Sequence, residues 1–175
     1  MITTDRLLLR PYKPSDWERV HLYASVSEFS QFEVWGPNSV EETKEFVTRC
    51  IAEFSEVPKT CYQLAIELLE SRLLIGGCTL KSQGPGSTEA FLGYAINPDF
   101  QNRGFATEAA KALIQFGFDR LNLLLIYATC DTRNTASWRV MEKAGLQRTS
   151  TIHGDRDRKG PLTDSYRYEI RCARD

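Results

Sequence analysis

One segment restricts the fold of this chain more than any other, the stretch "GYAINPDFQNRGFATEA" at residues 93–109. A short apolar run ends at the turn signal Asn97-Pro98, and a polar loop containing Gly104 then leads into an alanine-rich sequence typical of a helix. The first four N–H groups of a helix have no partner within it, and small residues there let an anion approach them. The segment therefore predicts a strand–turn–helix unit whose turn either binds a phosphate or makes a tight connection.

The apolar pattern of the whole chain predicts the element order β-α-α-β-β-β-α-β-α-β-β. Ser15 with Glu18, and Ser39 with Glu42, have the spacing of a capping box, and each pair predicts the start of a helix. Hairpin turns in the first half and crossovers in the second predict a mixed α/β sheet with helices on both faces. No linker divides the 175 residues, so we expect a single domain over residues 1–175. The predicted strands are 6–12, 61–69, 72–81, 89–96, 123–130, 146–152 and 165–171, and the predicted helices are 16–25, one beginning at Ser39, 106–121 and 134–144.

Composition excludes several classes of partner. The formal charge is −1, from 22 lysines and arginines against 23 aspartates and glutamates, so no global field attracts nucleic acid or an anionic membrane. The apolar run near the amino terminus has three leucines, too few for a signal peptide or a membrane span. Five scattered cysteines without a C-x-x-C pair predict reduced thiols in a cytoplasmic protein, and with two histidines we expect no metal site.

A second strand–turn–helix segment, "ATCDTRNTASWRVMEKAGL", occupies residues 128–146. Together with Gln101-Asn102-Arg103-Gly104-Phe105-Ala106 it resembles the two signature blocks of the GNAT superfamily of acetyl-CoA-dependent N-acetyltransferases, Q/R-x-x-G-x-G/A and N-x-x-S/A followed by K-x-G. The start, "TTDRLLLRPYKPSDW", is similar to the branch that contains the ribosomal-protein N-terminal acetyltransferases. The resemblance implies a mostly antiparallel sheet of about seven strands and an enzyme that acetylates a primary amine.

The resemblance also implies where acetyl-CoA binds as cosubstrate. The backbone of the strand at 94–96 is expected to hold the pantetheine arm as an added strand would be held, and the N–H groups of residues 103–107 are expected to hold the pyrophosphate, with the side chains of Gln101 and Arg103 reaching its oxygens. Asn134 is expected to bond the pantetheine or the nearby backbone. Helix capping is the alternative interpretation of Asn134 and Ser137, since both residue types are favoured at helix starts. The implied cofactor-binding residues are Tyr94, Ala95, Ile96, Gln101, Asn102, Arg103, Gly104, Phe105, Ala106, Thr107 and Asn134.

Acetyl transfer to an amine requires a deprotonated amine, donors for the oxyanion, and an acid for the departing thiolate. Backbone N–H groups near Ala95 and Ile96 are the expected donors. Many members of the family place a tyrosine acid seven residues after the motif asparagine, where this chain has Met141. In the ribosomal-protein branch a serine three residues after the asparagine serves instead, which implies Ser137 as the catalytic residue that relays or stabilises the proton.

The general base is left open by the sequence. Relatives often carry a glutamate two residues before the Gly-Tyr of the cofactor strand, where this chain has Phe91. Five candidates remain. They are Glu89, Glu33, Glu67, His153 and an ordered-water chain, and for Glu33 and Glu67 the alternative is a solvated surface position.

Two loops, 28–38 and 153–166, flank the cofactor sulfur in relatives and are expected to form the acceptor pocket. Phe29, Phe32, Glu33 and Trp35 are the candidate lining residues of the first loop, and for its aromatic residues packing over the sheet edge is the alternative. The predicted function is direct acetyl transfer in a ternary complex, by a monomer or homodimer, to a protein N-terminus or a small-molecule amine. The alternatives are a non-catalytic acyl-CoA-binding or sensing domain and a dinucleotide-binding domain. The second is poorly supported, because the sequence has no G-x-G-x-x-G at the start of a βαβ unit.

Overall fold

The computed structural model describes residues 1–27, 29–32, 35–156 and 162–173. Within these residues the chain forms one sheet of eight strands in the order β1-β2-β3-β4-β5-β6-β8-β7, with four helices. The strands are β1 (Ile2–Thr3), β2 (Leu7–Arg10), β3 (Cys61–Leu68), β4 (Leu74–Ser82), β5 (Glu89–Ile96), β6 (Leu125–Asp131), β7 (Gln147–Arg156) and β8 (Leu162–Arg171), and the helices are α1 (Asp16–Ala24), α2 (Val40–Ser55), α3 (Phe105–Arg120) and α4 (Thr135–Lys143). The predicted mixed, mostly antiparallel fold is confirmed, and the strand beyond the expected seven is the two-residue β1.

Helices cover both faces of the sheet because the strands bury alternate residues on opposite sides. Leu64 and Ile66 of β3 belong to the core under α3 and α4, whereas Ala65 between them belongs to the core under α1 and α2. Helix α3 packs closely on the sheet at Gly117, where an added Cβ would lie 2.8 Å from the Ile126 side chain.

The only parallel pair among the described strands determines the shape of the molecule's centre. Glu89, Ala90 and Phe91 of β5 pair with residues 125–127 of β6. Beyond Phe91, β5 pairs with β4 alone, while β6 continues along β8 as far as Asp131. The two strands therefore separate, and one edge of β5 is left open at the middle of the sheet.

The two predicted capping boxes have different outcomes. At Ser39 the prediction is confirmed, because the Glu42 N–H donates to Ser39 Oγ at 3.1 Å and the Ser39 N–H donates to Glu42 Oε2 at 2.7 Å. At Ser15 the predicted helix start is confirmed, because α1 begins at Asp16 with Ser15 as its N-cap residue, but the Ser15 side chain makes no capping bond. The Asp16 carboxylate instead accepts from the Lys13 N–H at 2.7 Å and thereby closes the turn before α1.

A buried ion-pair network joins β2, α1 and β3. The Arg10 guanidinium donates to Asp16 at 2.7 and 3.0 Å and to Glu67 at 2.6 Å, and all three side chains are less than a tenth exposed. Hydrogen bonds from Arg10 to Asp16 outweigh the opposing effect of burial and raise the pKa of Arg10 above its ordinary value. Glu67 is therefore a buried structural carboxylate, which corrects the expectation that it lies on a solvated surface.

All five cysteines are free thiols, and three of them are buried. Among the helices of the described chain, none combines the length and the apolar character needed to cross a membrane.

Candidate active site

Two cavities meet where β5 and β6 separate. The first, which we call the α3 cavity, has a volume of about 650 Å³ and extends from residues 94–96 to the first turns of α3 and α4. The second, the α2 cavity, has a volume of about 430 Å³ and lies between α2 and the strands β3 to β5. Five residues line both cavities: Phe32, Tyr94, Ala95, Asn134 and Ser137. A long molecule in one cavity can therefore touch a second molecule in the other.

The amino-terminal end of α3 forms an anion cradle at the far end of the α3 cavity. Asn102 and Gly104 both have left-handed backbone, with φ of 59° and 81°, and Gly104 is the N-cap residue. The first helical bond runs from the Glu108 N–H to the Gly104 carbonyl at 3.0 Å, so the preceding N–H groups point out of the helix end. The cavity is lined here by Asn102, Gly104 and Thr107 as predicted, and small residues with free N–H groups suit a pyrophosphate.

Two side chains of this loop lie elsewhere than expected. Gln101 lines the α3 cavity, but its Nε2 donates to the Ile96 carbonyl at 2.9 Å and so links the loop to the end of β5. Arg103 donates to the Asp99 carbonyl at 3.0 Å and does not line the cavity. The expectation that the Arg103 side chain reaches the phosphate oxygens therefore differs from its observed position, because the short turn before α3 offers it a backbone acceptor.

The amino-terminal segment braces the same loop, a role that the sequence did not reveal. Arg6 donates through Nε to Glu108 Oε2 at 2.7 Å and through Nη1 to the Arg103 carbonyl at 3.1 Å, and its guanidinium lies 4.5 Å above the Phe105 ring. Thr4 donates to the other Glu108 oxygen at 2.6 Å. Burial opposes the ionised form of Glu108, but the bonds from Thr4 and Arg6 prevail and lower its pKa. The sequence analysis singled out the segment that contains Thr4 and Arg6, "TTDRLLLR", but nothing in its local pattern predicts a contact with α3.

Ser137 and Asn134 are placed at the junction of the two cavities by the start of α4. The Ser137 N–H donates to Asn134 Oδ1 at 3.1 Å, so Asn134 caps the helix as its alternative interpretation predicted, while both side chains also line both cavities. Tyr94 reaches across from β5. Its hydroxyl donates to the Ser137 carbonyl at 2.8 Å and lies 3.2 Å from Ser137 Oγ. Sequence reasoning gave Tyr94 a backbone role alone, and the contact joins residues 43 positions apart.

Two further side chains surround Ser137 from the side of the α2 cavity. Met141, at the position where many relatives have tyrosine, is buried and lines this cavity. Cys130 lies within hydrogen-bonding reach of Ser137, and burial raises the pKa of its thiol to about 11. At neutral pH Cys130 is therefore a neutral thiol and a weak nucleophile.

The candidates for the general base that lie within the described residues are away from the junction of the two cavities. Glu89 is exposed at the start of β5, at the end of the strand where it still pairs with β6. His153 is 80% exposed and pairs with Asp164 at 2.9 Å. Neither these two nor Glu67 lines either cavity. Glu33, and residues 157–161 of the late loop, lie outside the described residues.

One carboxylate of the α2 cavity was missed by sequence reasoning. Glu53 of α2 lines this cavity together with Arg49 and Cys50. Glu53 follows Cys50 by three residues, so the helical spacing that placed Cys50 on a buried stripe also placed Glu53 beside it.

The aromatic residues of the first loop combine the two roles considered for them. Trp35 stacks on Phe46 with ring centroids 5.4 Å apart and meets Phe29 edge-on at 5.3 Å, and it also lines the α2 cavity. Phe32 lines both cavities and lies 5.8 Å from the Arg133 guanidinium. The loop thus packs against α2, where the alternative placed its aromatic residues over the sheet edge, and it forms a wall of the site with the same rings.

Comparison with known proteins agrees with this geometry. Residues 6–147 match the family described as the acetyltransferase (GNAT) domain. The chain is 34% identical over 170 residues to the uncharacterized N-acetyltransferase YnaD of Bacillus subtilis, covering 97% of this chain and 95% of that protein. A GNAT-family acetyltransferase from Bacillus anthracis has a TM-score of 0.86 and 31% identity, with 97% of each chain covered. The fold is also shared with the ribosomal-protein acetyltransferase RimL in complex with coenzyme A, at a TM-score of 0.84, 20% identity, and 96% and 95% coverage of the two chains. This chain therefore belongs to the GNAT family of N-acetyltransferases, with acetyl-CoA as cosubstrate.

Proposed function

We propose that the protein transfers the acetyl group of acetyl-CoA directly to a primary amine that is bound at the same time, the acceptor being a protein N-terminus or a small-molecule amine. The observation that carries this proposal is the meeting of the two cavities at Tyr94 and Ser137. Acetyl-CoA supplies the thioester as acetyl donor. The α3 cavity suits it because the loop at 102–107 offers N–H groups to a pyrophosphate and the open edge of β5 offers backbone groups to the pantetheine arm.

The acid that protonates the departing thiolate is the Tyr94 hydroxyl, with Ser137 as its relay. A phenol has an ordinary pKa of about 10, close to the value of about 8.5 for a thiol, whereas a serine hydroxyl is a much weaker acid. The two oxygens are 3.2 Å apart, so once the Tyr94 hydroxyl turns its proton from the Ser137 carbonyl to Ser137 Oγ, that proton can pass through Ser137 to the thiolate. The tyrosine that relatives supply from the position of Met141 is replaced by one from β5.

Direct transfer is favoured over an acyl-enzyme intermediate at Cys130. This cysteine lies within hydrogen-bonding reach of Ser137, and its raised pKa keeps it protonated at neutral pH. The amine therefore attacks the thioester itself. The free thiols favour a reducing compartment such as the cytoplasm.

The acceptor loses its proton to water before or during attack. An α-amine has an ordinary pKa of about 8, so an appreciable share is neutral near that pH without a dedicated base. In this mechanism the amine reacts at the junction, where the α2 cavity meets the α3 cavity. Glu53, the one carboxylate on the described lining of this cavity, receives the proton through water.

The test is thiol release from acetyl-CoA with a panel of peptides, amino acids, polyamines and aminoglycosides. Gly104→Glu places a carboxylate in the anion cradle and should abolish both release and acetyl-CoA binding. Gly84→Glu is the matched control, since Gly84 lies in a hairpin loop with no heavy atom within 4 Å of its added Cβ, and it should behave as wild type. Binding of acetyl-CoA without release for any acceptor would contradict the proposal and support the acyl-CoA-binding alternative.

A further inference from the structure

The α2 cavity has a direction, and the positions of its lining residues along the sheet define it. At the junction end, Gly77 pairs with Ala95, and Ala95 lines both cavities. At the far end, Lys81 pairs with Phe91 on one side and with Cys61 on the other. Four residues of β4 separate these rows, a distance of about 13 Å along the strand. A ligand that reaches both ends is therefore extended.

Helix α2 runs along the same axis. Its Phe46 contacts Tyr12 at 5.8 Å, and the Tyr12 hydroxyl lies against Gly77, so Phe46 is at the junction end. Seven residues later, about 10 Å along the helix, Glu53 lies beside Cys61 at the far end. Arg49 lies between them, one turn before Glu53.

The two ends differ in chemistry. Aromatic rings and small residues line the junction end: Tyr12, Tyr23, Trp35, Phe46 and Gly77. The charged groups on the described lining, Arg49, Glu53 and Lys81, lie from the middle to the far end, two cations against one carboxylate. Neither Arg49 nor Lys81 forms an ion pair with a described residue, so both cations are available to an anionic group.

From this arrangement, and resting on the proposed function, we infer that the acceptor is an extended primary amine that carries a carboxylate at its far end, held by Lys81 and Arg49. Lys81 reaches inward from a row about 13 Å from the junction, and the Arg49 guanidinium lies nearer the junction, 5.8 Å from the Phe46 ring. Because each residue of an extended peptide spans about 3.5 Å, the carboxylate lies two or three residues from the amine. A polyamine is disfavoured, since its second ammonium would face two cations and one carboxylate. The carboxylate is either the free carboxyl end of a short peptide or an acidic side chain near the amino terminus of a protein.

Four acceptors test the inference by comparison of kcat/KM. They are the peptide Ala-Phe-Glu as its amide, Ala-Phe-Gln as its amide, Ala-Phe-Gln with a free carboxyl end, and spermidine. We expect the first and the third to exceed the neutral amide by about tenfold or more, and their ratio to identify the source of the carboxylate. Equal rates for the neutral amide, or a faster reaction of spermidine, would overturn the inference and leave the proposed function standing.

Two variants test whether Lys81 and Arg49 cause the preference for peptides with a carboxylate. Lys81→Gln and Arg49→Gln should each reduce the advantage of the carboxylate peptides severalfold, with little change for the neutral amide. Lys111→Gln removes an exposed lysine of α3 that lines neither cavity and should leave the advantage intact. An advantage that survives in both cavity variants would overturn the assignment.

Calorimetry distinguishes failure of the proposed function from failure of the inference about the acceptor. If acetyl-CoA does not bind and no acceptor is acetylated, the proposed function is contradicted and the inference falls with it. If acetyl-CoA binds but no peptide turns over, the affinities of the matched Glu and Gln amides for the protein saturated with coenzyme A decide, and equal affinities overturn the inference.

Discussion

Replacing Arg6 by glutamine tests whether the amino-terminal segment positions the anion cradle. Arg6 holds Glu108 and the Arg103 carbonyl, one at each side of Gly104. Without Arg6 the loop loses its brace, and the Glu108 carboxylate, 17% exposed, is left without its cation beside the site of the pyrophosphate. We therefore expect weaker binding of acetyl-CoA while the chemistry at Ser137 is unchanged.

The expected loss of acetyl-CoA affinity follows from two contacts of Arg6. The Arg6 side chain is 48% exposed, so solvent screens its ion pair with Glu108 and limits its contribution to about 0.5–1 kcal/mol. The bond to the Arg103 carbonyl contributes about 0.5–1.5 kcal/mol. Their sum, about 1–2.5 kcal/mol, corresponds to a rise of roughly 5- to 70-fold in the KM for acetyl-CoA.

Steady-state kinetics at saturating acceptor measure the KM for acetyl-CoA, and calorimetry of acetyl-CoA binding is a second readout. The KM should rise as calculated, and kcat should change less than about twofold. Arg120→Gln is the matched control, because Arg120 is exposed at the other end of α3. A KM within twofold of wild type, or a fall in kcat with unchanged KM, would refute the positioning role of Arg6.

Three further predictions concern the proton relay, the acid side of the stability curve and the buried network. Tyr94→Phe should lower kcat by about 10- to 100-fold with little change in the KM for acetyl-CoA, and Ser137→Ala should have a similar effect; additive losses in the double variant would argue against a shared relay, as rapid kinetics can show. The pKa of Glu108 is lower in the folded than in the unfolded state, so its stabilisation is present above the unfolded value of about 4.3 and is lost as the pH falls below it. Urea unfolding between pH 3 and 7 should therefore show a shallower acid loss in Glu108→Gln, and an unchanged slope would contradict the assignment. Asp16→Asn should lower the free energy of unfolding by about 3–5 kcal/mol, because it breaks the buried pair with Arg10, whereas a loss below 1 kcal/mol would show that water compensates.

Features that depend on neighbours in sequence were predictable. The helix starts at Ser39 and Asn134 were recognised because the capping partners lie three residues away. The helix start at Ser15 was also predicted, but the absence of a capping bond from its side chain has a tertiary cause. Asp16, next to it, is bound by Arg10 from β2, and this contact fixes the start of α1 in another way.

The sequence by itself determined the order of the elements, the glycine cradle before α3 and the membership of Asn134 and Ser137 in one helix start, because hydrophobic period and backbone conformation act over a few residues. Only the tertiary structure decided which side chains complete the site. The Tyr94 hydroxyl meets Ser137 from 43 residues away, and Arg6 meets Glu108 from 102 residues away. Such contacts depend on how far β5 and β6 separate and on where the first strands lie beside α3. The packing of the whole sheet fixes this separation and this position, and the spacing of residues along the chain does not predict them.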